Sequence, residues 1–527
     1  MRFVHIVILM LLVGLVFANV LTNGFVWDDA PYLLNIDAYR SLDFSRFFLG
    51  LGNGIEYLPI RDVSYALDFA LWGVNSTGFH VTNVILYAII VIVVYRFTYT
   101  AVTTLQPAEK HTETMAAESV SFWTAAFFAL HPIHCETINF LGGGRNTLLA
   151  GLFVFLSARS FILFLGDTTD SYRKDLAFSL GWYICALLSK ATAVSLPLFY
   201  VALCMLPLRR TMTAKIASTI PFIAASGAVF ILYTSIATKT GALNPFIGAH
   251  MSLTGKLSVI AKIPYFYICK FILPTGLSVD YTLPSLSTLP TLTIAAIASL
   301  ALIILTYRWR NRPCLYMGVC WYWIMLLPVM QLVPSPMPLA DRYAYLPSFA
   351  FCFLAAYTLN RLGTSWPKCI QGILTLLLIS YGLLSFQQNK TWNSNQTLWE
   401  QTLISSPNSM QALTNLGTYY YVAGNYPKAF QLLDRARRVN PSDPTYDFFM
   451  GHNYYFRNNI PAAVSSFEQA LAKKFDLIDA LFYMGEISER NGNREKAASF
   501  YQQVVVSIDL DRSNYKEKAL ERLQLLN

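Results

Sequence analysis

Two adjacent carboxylates, Asp28 and Asp29, follow the first apolar segment of the chain in the stretch FVWDDAPYLL. An isolated pair of this kind could be solvated or could cap the next helix. Here it opens a connection over residues 22–78 that interleaves aromatic and charged side chains, including Arg61, and is long for a connector. We therefore expect the connection to fold back on itself and to hold a carboxylate beside a lipid-borne group.

A second group of polar residues lies in the stretch HPIHCETINFLGGGRNTLL, which contains His131, His134 and Glu136. Two imidazoles three residues apart can share one face of a helix and bind a metal ion. Pro132 disturbs the turn between them, and no third ligand has a convincing position. We therefore predict no metal here and assign the two histidines and Glu136 to shaping a site.

The same stretch contains a glycine run, residues 142–144, directly before Arg145. Backbone amides at a helix start together with a guanidinium could hold a phosphate. A tight turn between two helices is the alternative explanation of the glycines.

Further polar groups stand at the ends of apolar segments: Lys190 in LLSKATAVSLPL, Arg342 in DRYAYLPS, and Asp280 with Tyr281 in ILPTGLSVDY. Each has an ordinary explanation, because Lys190 could reach the interface, Arg342 could pair with Asp341, and the last stretch could be a turn. Taken together, several cations near an acidic pair indicate a site that binds an anion.

The composition is that of an integral membrane protein. Of the 527 residues, 55% are hydrophobic and only 13% are charged, with a mean hydropathy of +0.43, against roughly 25% charged residues in soluble proteins. The net charge of +9 comes from Lys and Arg residues that are scattered through short loops. This distribution is typical of residues that set membrane topology, so we exclude a nucleic-acid partner. The eight cysteines fall in or beside apolar segments without paired spacing, so neither disulfides nor zinc is expected.

Apolar runs of spanning length predict about eleven crossings. The first could be a cleavable signal peptide, but no cleavage site follows, so we expect a retained helix. We interpret 176–207 as a hairpin and 256–273, with a lysine about every seven residues, as an interfacial amphipathic helix. The predicted spans are 3–21, 79–100, 119–138, 146–165, 176–189, 191–207, 216–237, 290–306, 314–333, 343–361 and 367–386.

This arrangement places most loop cations on one side, which the positive-inside rule assigns to the cytoplasm. The cytoplasmic set is Lys110, Arg173, Lys174, Arg209, Arg210, Lys215, Arg308, Arg310, Arg312, Arg361 and Lys368. The N-terminus is then inside and the C-terminus outside. The unusual charged residues gather on the outer face, namely Asp28, Asp29, Arg61, Arg145, Lys190, Asp280, Asp341 and Arg342.

A repeat begins after residue 390, where the composition becomes polar. Gly417, Gly451 and Gly485 recur every 34 residues, as do alanines and bulky residues between them. This period is the tetratricopeptide signature. We predict a transmembrane domain over 1–390, a linker over 391–406, three tetratricopeptide repeats over 407–509 and a cap helix over 510–527, making the chain all-α.

The stretches WDDAPYL, HPIHCETINFLGGGRNTLLAGLF, LSKATAVSLPL, ILPTGLSVDY and DRYAYLPS, followed by the repeats, resemble a known family. It is that of the transmembrane and tetratricopeptide-repeat-containing O-mannosyltransferases and their bacterial relatives, of the GT-C class of polytopic glycosyltransferases. Three repeats are fewer than eukaryotic members carry, which indicates a bacterial member of the cell membrane, with the endoplasmic reticulum membrane as the alternative. LSKATA lacks the acid that commonly follows the lysine in the family, which weakens the assignment of Lys190.

The resemblance implies transfer of a sugar from a polyprenyl-phosphate donor to a protein hydroxyl or a glycan at the outer face. It implies a general base, Asp28 or Asp29, in the first outer connection. Arg145, Lys190 and Arg342 are the predicted phosphate contacts, and a single displacement would invert the anomeric carbon. The resemblance implies no cofactor, although the participation of a divalent cation stays an open alternative. The repeats would recruit the acceptor or a partner enzyme.

Two other functions fit parts of the pattern. A lipid flippase or anion transporter would also use many crossings and outer cations, but it predicts inverted repeats and polar groups at mid-bilayer, whereas the charges here lie at span ends. A membrane-anchored tetratricopeptide scaffold would need only one or two helices.

Overall fold

The chain is described by a computed structural model, in which every regular element of the described residues is helical. It forms two compact units, residues 1–398 and 399–527. The described residues are 2–52, 56–106, 111–166, 172–208, 210–239, 253–281, 304, 306–332, 337–362, 367–507 and 513–526.

The first unit contains the apolar helices and the long first connection. In chain order its helices are α1 (Arg2–Phe17), α2 (Phe44–Leu49), α3 (Pro59–Trp72), α4 (Ser76–Leu105), α5 (His111–Leu130), α6 (Cys135–Asn139), α7 (Leu141–Gly166), α8 (Tyr172–Ser189), α9 (Leu196–Cys204), α10 (Met212–Ala217), α11 (Ile220–Lys239), α12 (Leu253–Ile272), α13 (Pro313–Leu326), α14 (Tyr345–Leu362) and α15 (Pro367–Lys390).

Helices of the length and composition needed to cross a bilayer are present, so the prediction of an integral membrane protein is supported. Five candidate spans are Arg2–Thr22, Ser76–Leu105, Leu141–Gly166, Met212–Ile236 and Lys368–Lys390, and shorter apolar helices cover Met115–Leu130, Ala191–Cys204 and Pro313–Val329. The predicted span 290–306 lies almost wholly outside the described residues. The number of crossings therefore stays a prediction.

The chain reverses direction at Lys190, as the hairpin interpretation of 176–207 requires. The hydroxyl of Ser157 on α7 lies 3.2 Å from the hydroxyl of Ser179 on α8 and 2.6 Å from that of Tyr200 on α9. Ser179 and Tyr200 are separated by about 30 Å in a continuous helix at 1.5 Å per residue. Both can reach Ser157 only if the chain folds back between α8 and α9.

The centre of the bundle is an aromatic cluster contributed by four helices. Phe97 of α4, Phe155 of α7, Trp321 of α13 and Phe349 of α14 are buried, and the Phe155 and Trp321 rings stack with centroids 5.3 Å apart. Such rings bury large apolar areas and pack in preferred offset geometries. This core fixes the helix ends from which the polar connections emerge.

The segment predicted as an interfacial helix, 256–273, is helical within α12. Tyr267 and Phe271 are buried against the bundle, and the Tyr267 hydroxyl donates to the Ala340 carbonyl at 2.9 Å. Lys270 donates to the Thr275 and Gly276 carbonyls at the helix end. The position of α12 in the membrane interface stays a prediction.

In the described residues of the second unit, one helix is followed by three helix pairs and a last helix. Its helices, with α16 beginning before the unit boundary, are α16 (Asn395–Ser405), α17 (Met410–Val422), α18 (Tyr426–Val439), α19 (Thr445–Phe456), α20 (Ile460–Lys473), α21 (Ile478–Arg490), α22 (Arg494–Val506) and α23 (Ser513–Leu526). The predicted linker 391–406 thus contains a helix, and α23 occupies the segment predicted as a cap.

The glycines of the 34-residue period lie where the two helices of each pair cross. A Cβ on Gly417 would stand 2.8 Å from Leu433, one on Gly451 would stand 2.7 Å from Phe467, and one on Gly485 would stand 2.6 Å from Tyr501. Because no Cβ fits at these separations, each pair packs closely only with glycine there.

Candidate functional site

Asp29 is buried and holds the first connection onto the start of α7. Its carboxylate accepts hydrogen bonds from the backbone N–H of Val26 at 2.8 Å and of Gly142 at 2.6 Å. Burial raises the pKa of Asp29 to about 7, and the neighbouring Asp28 charge adds to this effect. Asp28 itself is only half-buried. The two carboxylates are therefore in different environments.

The glycine run lies at the start of α7, where it packs closely against two other segments. A Cβ on Gly142 would stand 2.9 Å from the Asp28 carbonyl oxygen, and one on Gly144 would collide with the Thr137 carbonyl. The Gly142 amide donates to Asp29 and the Gly144 amide donates to the Phe140 carbonyl. The Gly142 and Gly144 amides therefore already have acceptors within the protein, and a phosphate contact of the glycine run stays a prediction.

Arg145 lies in a buried ion pair within the first unit. Its guanidinium donates to the Asp68 carboxylate at 2.7 Å and also to the Asn83 side chain and, at 3.3 Å, the Phe79 carbonyl. No part of Arg145 is exposed. A phosphate could reach Arg145 only by displacing Asp68, and the predicted phosphate contact of Arg145 stays a prediction.

Arg61 is also enclosed, with 1% of its surface exposed. It pairs with Asp62 at 2.9 Å and with Glu56 at 2.6 Å, and the Tyr39 hydroxyl donates to Asp62 at 2.7 Å. Together with the buried aromatic rings of Tyr39 and Tyr65, these contacts give the first connection a core of its own. Arg61 therefore shapes the connection from within.

Arg342 joins three connections of the bundle. Its guanidinium forms an ion pair with Glu136, and its backbone N–H donates to the other Glu136 oxygen at 2.8 Å. It also lies over the Trp27 ring, 5.6 Å from the centroid. Burial lowers the pKa of Arg342, but Glu136, Tyr343 and Asp28 outweigh it and raise this pKa. Asp28, Glu136 and Arg342 are thus close enough to influence one another.

Lys190 stands at the hairpin tip between two cavities. Its ammonium donates to the Thr147 hydroxyl at 2.6 Å. A small cavity of about 20 Å³ is lined by both Lys190 and Arg342, along with Thr147 and Tyr343. Burial, together with the Arg342 charge, lowers the pKa of Lys190 to about 7. The two predicted phosphate contacts therefore share one cavity.

The second cavity at Lys190 is a larger and mostly apolar cleft of about 400 Å³. It lies between the first connection, the α8–α9 hairpin and α11. Its apolar lining is Tyr57, Leu58, Leu187, Val194, Val229, Phe230 and Tyr233, and Glu56 contributes a carboxylate. An elongated apolar group could lie here with a charged end at Lys190.

Tyr281 brings a further connection to the same region. Its hydroxyl donates to the Asp341 carboxylate at 2.5 Å and accepts from the Ser278 backbone N–H at 3.0 Å. Burial raises the pKa of Asp341, and the Glu136 charge adds to this. The backbone of Asp280 closes a turn with the Ser278 hydroxyl, which agrees with the alternative explanation of this stretch.

The two histidines stabilise the connection after α5. His131 has one ring nitrogen 3.1 Å from the Phe271 carbonyl, and the other accepts from the Ile133 N–H at 3.2 Å. His134 has one nitrogen 2.8 Å from the Tyr87 hydroxyl and the other 2.8 Å from the Ser348 hydroxyl. Both rings are fully buried, and within the described ranges no three His, Cys, Asp or Glu side chains are grouped to hold a metal.

Three side chains around the site were not among the predicted residues: Glu56, Asp68 and Thr147. The first two belong to the charged and aromatic stretch EYLPIRDVSYALDF, whose density of charges in an apolar context was the available signal. Nothing in the sequence distinguishes Thr147 from other hydroxyl residues of α7. Its contact with Lys190 depends on how two helices pack.

These elements define a polytopic, all-helical membrane protein with a C-terminal tetratricopeptide array. The tetratricopeptide repeat model matches residues 396–444 and 450–514, which confirms the repeats. The chain is 21% identical to human protein O-mannosyl-transferase TMTC3 over 98% of its length, and 21% identical to protein O-mannosyl-transferase F38B6.6 of Caenorhabditis elegans over 78%. The resemblance stated from the motifs is thus confirmed. The chain spans 62% and 59% of the length of these curated relatives.

Two solved structures match the chain at low overall similarity. An Archaeoglobus fulgidus oligosaccharyltransferase tethered to an acceptor peptide matches 82% of this chain and 58% of that one, at 12% identity and a TM-score of 0.39. ArnT from Cupriavidus metallidurans bound to undecaprenyl phosphate matches 96% of this chain and 80% of that one, at 14% identity and a TM-score of 0.40.

Proposed function

We propose that this protein is a membrane glycosyltransferase that moves a sugar from a polyprenyl-phosphate donor to a protein hydroxyl or a glycan. The observation that supports this most directly is the cavity shared by Lys190 and Arg342, which adjoins the apolar cleft at Lys190. Cations at the end of an apolar cleft suit a lipid phosphate. The names of the curated relatives support the same class of reaction.

The donor phosphate is placed between Lys190 and Arg342, and the first part of its lipid chain in the cleft. Negative charge on the phosphate increases as the bond to the sugar breaks. Fixed cations close to it therefore favour the transition state more than the ground state. Glu136 holds the Arg342 guanidinium and backbone, so this cation is oriented before the donor binds.

Asp28 is assigned as the general base and Asp29 as the residue that positions it. A hydroxyl is a poor nucleophile, so a carboxylate must take its proton as the new bond to the anomeric carbon forms. Half-exposed Asp28 can reach an acceptor, whereas both oxygens of Asp29 accept backbone hydrogen bonds. A single displacement inverts the anomeric carbon and needs no covalent sugar intermediate.

The site is assigned to the outer face of a bacterial cell membrane, with the endoplasmic reticulum membrane as the alternative. The tetratricopeptide repeats are assigned to gathering the acceptor polypeptide, because stacked helix pairs form extended binding surfaces. This chemistry requires no cofactor, and the participation of a divalent cation stays an open alternative.

The test is sugar transfer by the purified full chain in liposomes. A radiolabelled polyprenyl-phosphate hexose and a Ser/Thr-containing polypeptide are supplied, and label on the acceptor is counted. Wild type should transfer sugar, and Asp28→Asn should lose about 100-fold or more of the rate, as removal of a general base does. Asp37→Asn, which changes an exposed carboxylate of the same connection, is the matched control and should remain active.

The possible results of this assay test the proposed function and the assignment of the general base separately. No transfer by wild type from any hexose donor would reject the transferase. Transfer that persists at full rate in Asp28→Asn, Asp29→Asn and the double variant would reject the carboxylate assignment while retaining the reaction.

A further inference from the structure

Arg96 and Arg159 lie inside candidate membrane spans, away from the candidate site. Arg96 belongs to the span Ser76–Leu105, and Arg159 belongs to the span Leu141–Gly166. At a rise of about 1.5 Å per residue, they stand about 14 Å and about 10 Å from the last residues of these helices. A charged side chain within a span is costly and is typically paired or functional, so both arginines need an explanation.

The two arginines are neighbours because α4 and α7 pack side by side and run in the same direction. The first turns of α7 contact the first half of α4, and further along both helices the rings of Phe97 and Phe155 have centroids 5.7 Å apart. Arg96 directly precedes Phe97 in the sequence. Arg159 follows Phe155 by about one helical turn. The two arginines are therefore at one level, and the Arg96 charge acts on Arg159.

Neither guanidinium forms an ion pair or a hydrogen bond with the described residues. The Arg159 Nε is buried and has no hydrogen-bond partner among them. Asp175 of α8 acts on Arg159 without forming an ion pair with it. Glu118 of α5, which packs against α4, is paired with Arg2 at 2.9 Å. A buried charge without a partner is costly, and the described residues supply no counter-ion in contact with these two cations.

Extension of both side chains toward water is the ordinary alternative. It suits Arg96, which is exposed, but it does not suit the half-buried Arg159, whose Nε is enclosed. Helical side chains lean toward the start of their helix, so both guanidinia are directed away from the nearer helix end. An anionic headgroup can instead reach the pair from the surrounding lipid, on the side where Arg96 is exposed.

We propose that Arg96 and Arg159 bind the phosphate of an anionic phospholipid. A guanidinium presents its N–H donors in a planar fork that matches phosphate oxygens. Basic pockets between membrane helices are typical sites for anionic headgroups, and the sequence predicts that this end of the bundle faces the cytoplasm, where bilayers carry such lipids. The phosphate supplies the counter-ion, and the acyl chains lie along α4 and α7. This proposal is independent of the proposed function, because the candidate site adjoins the opposite end of α7.

The test is lipid-dependent thermal unfolding of the purified full chain in a neutral detergent. Dioleoyl-phosphatidylglycerol is titrated as the anionic lipid, dioleoyl-phosphatidylcholine as a lipid with the same acyl chains and no net charge, and inorganic phosphate as the free anion. A ligand that binds the folded state raises the unfolding temperature. The wild type should bind the anionic lipid at least about tenfold more tightly than either of the others, since one charge-assisted hydrogen bond contributes about this factor.

Matched double variants locate the site. Arg96→Met with Arg159→Met keeps long side chains and should abolish the preference for the anionic lipid. Arg173→Met with Lys174→Met removes two exposed cations at the start of α8 and should keep it. In detergent without added lipid, the first double variant should unfold at the wild-type temperature or above it, because two repelling charges are gone.

Four results would overturn the proposal. The first is equal binding of the two lipids by the wild type, and the second is an equal loss of preference in both double variants. The third is binding of inorganic phosphate as tight as that of the anionic lipid, which would identify a free anion as the ligand. The fourth is a lower unfolding temperature of the Arg96→Met, Arg159→Met variant without lipid, since the arginines would then be stabilised by the protein itself.

Discussion

Asp28 and Asp29 are adjacent in sequence but are suited to different tasks. Backbone amides from two segments fix the Asp29 carboxylate at 2.8 and 2.6 Å, so its position is determined by the fold. Asp28 is a partly exposed residue whose charge acts on Arg342. A buried positioning group beside a reactive one is a common way to hold a catalytic side chain in place.

The pKa of Lys190 near 7 predicts pH-dependent donor binding. Binding a singly charged phosphodiester favours the protonated amine and so raises its pKa, which means that affinity is highest below about pH 7 and falls above it. Between about pH 6.5 and about pH 8.5 the affinity for a polyprenyl-phosphate hexose should fall roughly tenfold, which isothermal titration in detergent can measure. Lys190→Arg should remove the dependence, because arginine stays charged. An unchanged pH profile in that variant would contradict the phosphate assignment.

The Asp68–Arg145 ion pair should be important for stability because both partners are buried. Asp68→Asn leaves a buried guanidinium without its counter-ion, which typically costs about 3–5 kcal/mol. Thermal unfolding of the purified protein should occur at a lower temperature in this variant, and in the exposed control Asp37→Asn it should not. If Asp68→Asn unfolds like wild type, Arg145 is not held as described.

At the level of elements, the sequence was sufficient to predict the structure wherever a local pattern determines it. The 34-residue period located the helix crossings at Gly417, Gly451 and Gly485, and the short apolar halves around Lys190 indicated a hairpin. The role of the glycines in the first turn of α7 could not be predicted in this way. Whether their amides face a ligand or another segment depends on where Asp29 folds back, and that contact spans more than a hundred residues of sequence.

Gly142 should be intolerant of a side chain because the first connection lies against it. In Gly142→Ala the new Cβ, 2.9 Å from the Asp28 carbonyl oxygen, would push the acidic pair away from α7. Sugar transfer should fall at least about tenfold, since small displacements at a reacting centre are costly. Gly227→Ala, at a helix position with open space, is the control and should keep full activity. Equal activity of the two variants would argue against this packing.

Gly451 in the repeats should also be intolerant of a larger side chain. Gly451→Val forces a branched side chain against Phe467 and should destabilise the α19–α20 pair by roughly 1–3 kcal/mol. Hydrogen–deuterium exchange of the full chain should show faster exchange across both helices. Ser465→Val adds similar bulk at an exposed position of α20 and should leave exchange unchanged. Unaltered protection in Gly451→Val would contradict the crossing.

At the scale of the whole molecule, the motif order identified a membrane domain and a repeat array, and both are present. The sequence also predicted that the connections after alternate spans share one side. Asp28, Glu136, Lys190 and Arg342 come from four such connections. Lys190 and Arg342 line one cavity, and the charges of Glu136 and Asp28 act on Arg342. The sequence could not determine which cations are enclosed. All three arginines pair with a carboxylate, but Arg61 and Arg145 are at most 1% exposed, whereas Arg342 lines a cavity.

The most direct test of the account is the sidedness of these connections. Single cysteines replace exposed residues in a background in which the native Cys185, Cys269 and Cys369, which are at least partly exposed, are changed to alanine. A membrane-impermeant maleimide is then applied to intact cells and to inverted vesicles. Asp37→Cys, Ala191→Cys and Leu332→Cys should be labelled in intact cells, and Arg173→Cys and Arg310→Cys only in inverted vesicles. Labelling of positions 37 and 191, or 37 and 332, from opposite sides would contradict a shared site.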